Sequence, residues 1–258
     1  MTLLITTTTG PVVAQPNDLV ITVDESGEHT LTDPNFPTFG LGACAVLGKD
    51  YVQELALPWF TMKDEHFGGR LRPLHAADLR QPTSAQLGAL NTFFEARSFA
   101  TIGVFISKST SIRLTMTEYQ SVATAMVALI SELLRHIHCT GIVLIVESSQ
   151  KYDTAFFQTF SQIQLTLKED DSIQNRPIKL LRSIKNSAVP SLEVADFIAH
   201  TGGCVTRAQA NGDVAPDRPD MNAVFGEYGS FSQYVHLTDV GPGASDWTPS
   251  ADPVQSGR

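Results

Sequence analysis

Residues Asp18 to Gly27 read DLVITVDESG, a short apolar run that ends in two carboxylates and a serine-glycine turn. Alternation along a strand puts Leu19, Ile21 and Val23 on one face and Val20 and Thr22 on the other, so a strand here is covered on both sides. Its C-terminal end then presents Asp24. A carboxylate at the end of a buried central strand is costly to desolvate unless it is paired, hydrogen-bonded or coordinated to a cation. Asp, Ser and Gly are also ordinary loop formers, so this stretch alone fits a solvated turn as well.

The 258 residues suffice for one substantial core, and the 42% hydrophobic content is broken into short runs. None reaches the roughly 20 apolar residues of a membrane span. The start, MTLLITTTTGP, has neither a basic leader nor an apolar signal core, so the chain reads as soluble and cytoplasmic. Cys44, Cys139 and Cys204 are odd in number and widely separated, which fits small buried residues better than disulfides or a zinc motif. A formal charge of -9 argues against a generic basic coat for nucleic acid, although a carboxylate site that takes up divalent metal belongs equally well on an acidic protein.

Outward from the first strand, residues 1–17 read as a Thr- and Pro-rich lead-in, and Phe39–Leu47 as a second strand that forms a hairpin with the first. Gly40, Gly42 and Ala43 leave room there for close packing. Residues 48–81 read as an insertion, within which His75 precedes Asp78 by three, a spacing that places both on one side of a helical turn. Thr83–Arg97 is helical with Thr83 or Ser84 as N-cap, and Ala100–Ile106 is a strand. Thr117–His138 is a long amphipathic helix whose stripe is Val122, Met126, Leu129, Ile130, Leu133 and Leu134. His136 and His138 suit its C-terminal end, where cations are favoured.

Gly141–Glu147, GIVLIVE, repeats the logic of the first strand: apolar residues on both faces, then an acid. In open α/β sheets ligands bind beyond the carboxyl ends of the strands, so Asp24 and Glu147 would meet there if the two strands are parallel neighbours. Ala155–Leu167 reads as a helix. Pro177–Ile184 reads as a strand carrying Lys179 and Arg182, cations suited to edge protection or to phosphate. The last informative element, PSLEVADFIAHTGG, is a buried helix that starts near Pro190 and ends at Gly202 and Gly203. Asp196 interrupts its apolar surface. Glu193, Asp196 and His200 fall along one side, and His200 is also a candidate internal partner of Asp196. From residue 209 the composition turns to Gly, Pro, Asp and Ser, a tail broken only by FGEYGSFSQYVHL.

DESG at Asp24–Gly27, the His75–Asp78 element, the acid after a mid-chain apolar strand and the late Pro-x-Leu-x-x-Ala-Asp helix resemble, in order and spacing, the DUF3800 family. The resemblance covers roughly residues 19–203. It departs at Glu147, where Asp is at least as usual, and at Glu193, where the family tends to have Gln and the acid adds a negative charge beside Asp196. It implies a ribonuclease H-like α/β fold, a mixed sheet with helices on both faces over residues 18–208. The first strand then lies beside the fourth, and the late helix crosses near their ends.

On that resemblance Asp24, Glu147 and Asp196 form a carboxylate cluster for Mg2+ or Mn2+, with Glu25, Ser26, Asp78, Glu193 and His200 as possible accessory residues. Oxygen-rich sites suit these ions, and a pair of them can activate water and steady the leaving oxygen in phosphodiester hydrolysis. His75 would approach the substrate or shuttle a proton, and Lys185 would contact a phosphate. The expected activity is that of a metal-dependent nuclease whose partner is nucleic acid. Two other classes stay open: a binding or regulatory module that kept the fold without catalysis, and a metal-free hydrolase using paired carboxylates.

Overall fold

The computed structural model describes residues 2–7, 10–28, 30–32, 37–96, 98–107, 117–148, 160, 166–169, 172–175, 178–184, 189–213, 224 and 232–236. Strand β3, Asp18–Gly27, pairs antiparallel with β4, Thr38–Leu47, which pairs antiparallel with β5, Ala100–Ser107. On its other side β3 runs parallel to β6, Gly141–Ser148, which runs parallel to β9, Ile178–Ile184. Strand β10, Ser232–His236, lies parallel to β5, completing the order β10-β5-β4-β3-β6-β9. The chain is therefore a mixed α/β structure around a mixed-orientation sheet. Both apolar strands that end in acids are interior, adjacent and parallel, as the alternation required.

The two faces of this sheet carry different helices. Leu19, Ile21 and Val23 of β3 and Ile142, Leu144 and Val146 of β6 join one core with α3, Glu118–His136. The stripe from Val122 to Leu134 is buried there, and a Thr117–Gln120 capping box starts the helix. Val20, Val143 and Ile145 face the opposite core, built with α1, Leu57–His66, α2, Ser84–Glu95, and α4, Pro190–Asn211. Thr83 caps α2 through a capping box with Gln86.

Four sequence expectations change. Residues 1–17 contain a hairpin, β1 Leu3–Thr7 with β2 Gly10–Ala14, whose Leu3, Ile5, Val12 and Ala14 are buried in the α4-side core. Its Thr content hid an alternating apolar face. The stretch 48–81 carries a π-helical turn, Tyr51–Ala56, running directly into α1, because Tyr51, Leu55, Trp59 and Met62 recur at helical spacing and are buried. Helix α4 continues past Gly202 and Gly203 to Asn211. A Cβ on Gly202 would lie 2.1 Å from the Phe105 ring, and one on Gly203 would lie 2.3 Å from Ser26 Oγ, so these glycines serve close packing against the sheet. Finally, Ser232–His236 is an edge strand within the stretch read as a tail. Of the helix expected over Ala155–Leu167, the described residues are Phe160, helical and buried, and Thr166 and Leu167, which belong to β7, Thr166–Glu169. Strand β7 pairs with β8, Ser172–Asn175.

No described helix is long and apolar enough to cross a membrane. Cys44, Cys139 and Cys204 are free and buried, as expected.

Candidate carboxylate site

The site is built on the even-numbered residues of β3, which face α4. Thr22 donates its hydroxyl to the Ser191 carbonyl at 3.0 Å, fixing the start of α4 over the strand. Gly42, the cross-strand partner of Asp24, then lets the helix descend: a Cβ there would lie 2.2 Å from the Ala199 nitrogen. With Gly203 against Ser26, α4 passes along the strand end from Thr22 to Ser26.

Under this helix Asp24 is 2% exposed, and its Oδ1 accepts the Glu25 N–H at 2.8 Å. The last parallel pair between β3 and β6 is Val23 with Val146. One residue further, the two strands present Asp24 and Glu147 side by side. Alternation puts Glu147 on the face of Val143 and Ile145, the same face as Asp24, and it is half-buried. Asp196 reaches this region from α4, half-buried, and its Oδ2 accepts the Ala76 N–H at 2.6 Å. Asp24 and Glu147 thus come to one end of one sheet face, and Asp196 lies on the helix that packs over that face. Among the described residues, however, no three His, Cys, Asp or Glu side chains converge closely enough to hold a metal ion. The donor chemistry itself, carboxylate oxygens from adjacent strand ends, is of the kind hard divalent cations take.

The other candidate residues separate. Glu25 alternates to the opposite face of β3, opposite Leu41, so it does not join Asp24. Ser26 shares the Asp24 face and touches α4 at Gly203. His75 and Asp78 do not share a helical turn: His75 is extended, at φ -112° and ψ 135°, and precedes a short 3-10 turn over Ala76–Asp78, in which Asp78 is exposed. The cause lies in α4, whose acids draw the N–H groups of Leu74 and Ala76 onto the helix and so extend the chain between them. His200 sits with Nε2 3.6 Å from Cys204 Sγ, one turn along the helix. Lys185 lies outside the described residues.

Glu193 is the largest correction. Its carboxylate accepts Trp59 Nε1 at 2.5 Å, Lys63 Nζ at 2.7 Å on both oxygens, and the Leu74 N–H at 3.0 Å. Lys63 is fully buried and Glu193 nearly so. The extra negative charge beside Asp196 is therefore neutralised from α1, and both Glu193 oxygens are already engaged. Sequence reasoning missed Lys63 because KDEH looks like a solvated helix face. The available signal was the i, i+4 spacing of Trp59 and Lys63, which puts an aromatic and a cation on one side of α1. Burial also acts nearby, pushing the Cys44 thiol up to about 12 against the lowering effect of its hydrogen bond with Thr22. It raises the Tyr51 phenol as well, against its bond with Ser191.

No protein-family model and no curated protein matches this chain.

Proposed function

We propose that the chain is a divalent-metal-dependent phosphodiesterase of ribonuclease H-like fold and DUF3800 type, acting on nucleic acid. The observation that carries the proposal is Asp24, a carboxylate 2% exposed at the end of an interior strand, with Glu147 beside it on the neighbouring parallel strand. Carboxylate oxygens from adjacent strand ends are the donors that hard divalent cations take. The sheet supports the fold reading: an antiparallel β3-β4-β5 set continues through parallel β6 and β9, with α4 crossing the ends of β3 and β4.

Asp24, Glu147 and Asp196 would hold Mg2+ or Mn2+, which when bound supplies water activation and stabilises the leaving oxygen. The protein's own part is to exclude water from Asp24, to keep Asp196 on α4, and to hold His75 beside Asp196 as a proton-transfer group. Lys185 would take a phosphate contact. A second reading, an inert binding module with this fold, is favoured by the lack of a converged three-ligand group among the described residues.

One experiment separates them. Purified protein is given a panel of DNA and RNA substrates with Mg2+, Mn2+ or Ca2+. Cleavage is expected with the first two and binding with little turnover in calcium, which tolerates looser coordination. Asp24→Ala is expected to reduce cleavage to background while thermal unfolding stays cooperative. Cleavage that survives in Asp24→Ala, or no metal-dependent cleavage of any substrate, overturns the enzyme reading.

A further inference from the structure

The segment Leu74–Ala76 lies along α4, and both of its inward N–H groups end on carboxylates of that helix. Leu74 donates to Glu193 Oε1 at 3.0 Å and Ala76 to Asp196 Oδ2 at 2.6 Å. Glu193 and Asp196 are three apart on α4, one turn, while Leu74 and Ala76 are two apart in extended chain, so the two repeats come into register. His75 is the residue between them. Glu193 is itself fixed by two groups from α1, Trp59 Nε1 and the fully buried Lys63 ammonium. Trp59 is in turn wedged against Phe93, 4.8 Å between ring centroids, and Phe197, 5.5 Å.

We infer that Trp59, Lys63 and Glu193 are positioning residues of the candidate site, a clamp that holds the Leu74–Ala76 backbone against α4 and so sets His75 beside Asp196. The inference deepens the proposed function and rests on it for the consequence to turnover, but the clamp itself is a property of the folded chain. A solvated segment of this length would sample many conformations. Here the charged acceptor makes the Leu74 bond stronger than a neutral one, and the apolar surroundings keep water from competing for it. Burying Lys63 is costly, and hydrophobic replacements of such pairs are often neutral or stabilising. Positioning accounts for a charged pair where an apolar one would serve stability alone.

The test needs variants that fold. Single removal of Glu193 leaves Lys63 buried without its counter-charge, so the pair is changed together. Lys63→Met/Glu193→Leu removes the charge and the acceptor for Leu74. Lys63→Met/Glu193→Gln removes the charge but keeps one carbonyl oxygen for Leu74 in the place of Oε1; Trp59→Phe is added to both variants, because the Gln amide nitrogen would otherwise face the Trp59 Nε1–H in the place of Oε2. In the full-length protein, native-state amide exchange at Leu74 and Ala76 is expected to accelerate about tenfold in the Leu variant, the loss of one such hydrogen bond. The His75 ring resonances should shift with it. The Gln variant should restore both. With Mn2+ and a cleavable oligonucleotide, the Leu variant should lose about tenfold in kcat at little change in KM, the signature of a lost orientation. Unchanged exchange and unchanged His75 resonances in the folded Leu variant overturn the clamp. So does failure of the Gln variant to restore them, because the Leu74 acceptor would then not be the cause. If wild-type protein cleaves nothing, the functional reading falls while exchange and resonances still decide the clamp.

Discussion

Helix α3 meets the sheet through Val122, Met126, Leu129, Ile130 and Leu133, whereas α4 meets it through Ser191, Ala199, Gly202 and Gly203. The same strands supply both faces. On the α3 side they offer Leu19, Ile21 and Val23; on the α4 side, Val20, Thr22 and Asp24. Large aliphatic side chains keep α3 at a distance filled by their own methyl groups. Small ones let α4 approach until its backbone and its polar side chains are within reach of the strands. That closeness brings Thr22, Cys44, Tyr51 and Ser191 into one buried polar group and Asp24 beneath the helix. The candidate site is thus on the face where packing is close and polar.

The contrast is broken most severely at Glu193. Glu193→Ala should cost roughly 3–5 kcal/mol in urea unfolding, since it strands a buried Lys63 and leaves Trp59 Nε1 and the Leu74 N–H without their acceptor. Leu129→Ala on the α3 face should cost roughly 2–5 kcal/mol by a different route, loss of packing and a cavity. The two are separated by a second change: adding Lys63→Met to Glu193→Ala should recover much of the loss, and no such partner exists for a cavity. A Glu193→Ala cost below about 1 kcal/mol would mean that water reaches Lys63, contrary to its full burial.

Close approach is tested at glycine. Gly42→Ala would place a methyl 2.2 Å from the Ala199 nitrogen and 2.8 Å from its Cβ, so α4 must move, at roughly 1–3 kcal/mol. Gly88→Ala, in the exposed middle of α2 with nothing within 4 Å, should instead stabilise by about 0.5–1 kcal/mol. Opposite signs for one chemical change, read as thermal midpoints, distinguish packing from chain entropy. Destabilisation at both positions would remove packing against α4 as the explanation.

These same glycines show where the sequence was legible. Strands β3 and β6 could be read because period-two apolar runs on both faces have few alternatives, and α2 and α3 because their caps and stripes agree. The end of α4 was misread because two adjacent glycines resemble a helix terminus when the Phe105 ring and Ser26 that they accommodate are far away in sequence. Asp24, Glu147 and Asp196 were visible as acids in apolar surroundings. Lys63 was not, since its meaning depends on a carboxylate 130 positions later. The extended shape of His75 was equally hidden, because it is imposed by acceptors on α4.

A further expected effect, comparable to that of Gly88→Ala, concerns alkaline pH and the polar group under the start of α4. Burial raises the Cys44 thiol from 9.0 to about 12 and moves the Tyr51 phenol upward from 10.0. In both cases the folded protein favours the neutral, protonated form. Below pH 9 the folded and unfolded chains both keep these protons, and the stability associated with them is fully present. As pH rises further the unfolded chain releases its proton first, so stability is lost progressively until the folded group also ionises. Between pH 8 and pH 10 Cys44 alone should remove roughly 1 kcal/mol, measured as a fall in the urea midpoint with unchanged slope. Cys44→Ala lacks this titration, so its curve should be flatter over the same interval even though the variant starts from lower stability. In the Cys44→Ala background, adding Tyr51→Phe should flatten the slope above pH 10 further, by the part that the Tyr51 phenol contributes. An alkaline profile identical in wild type and Cys44→Ala would mean that the thiol ionises as readily under α4 as in the unfolded chain, and the close, water-excluding contact between α4 and β4 would have to be given up.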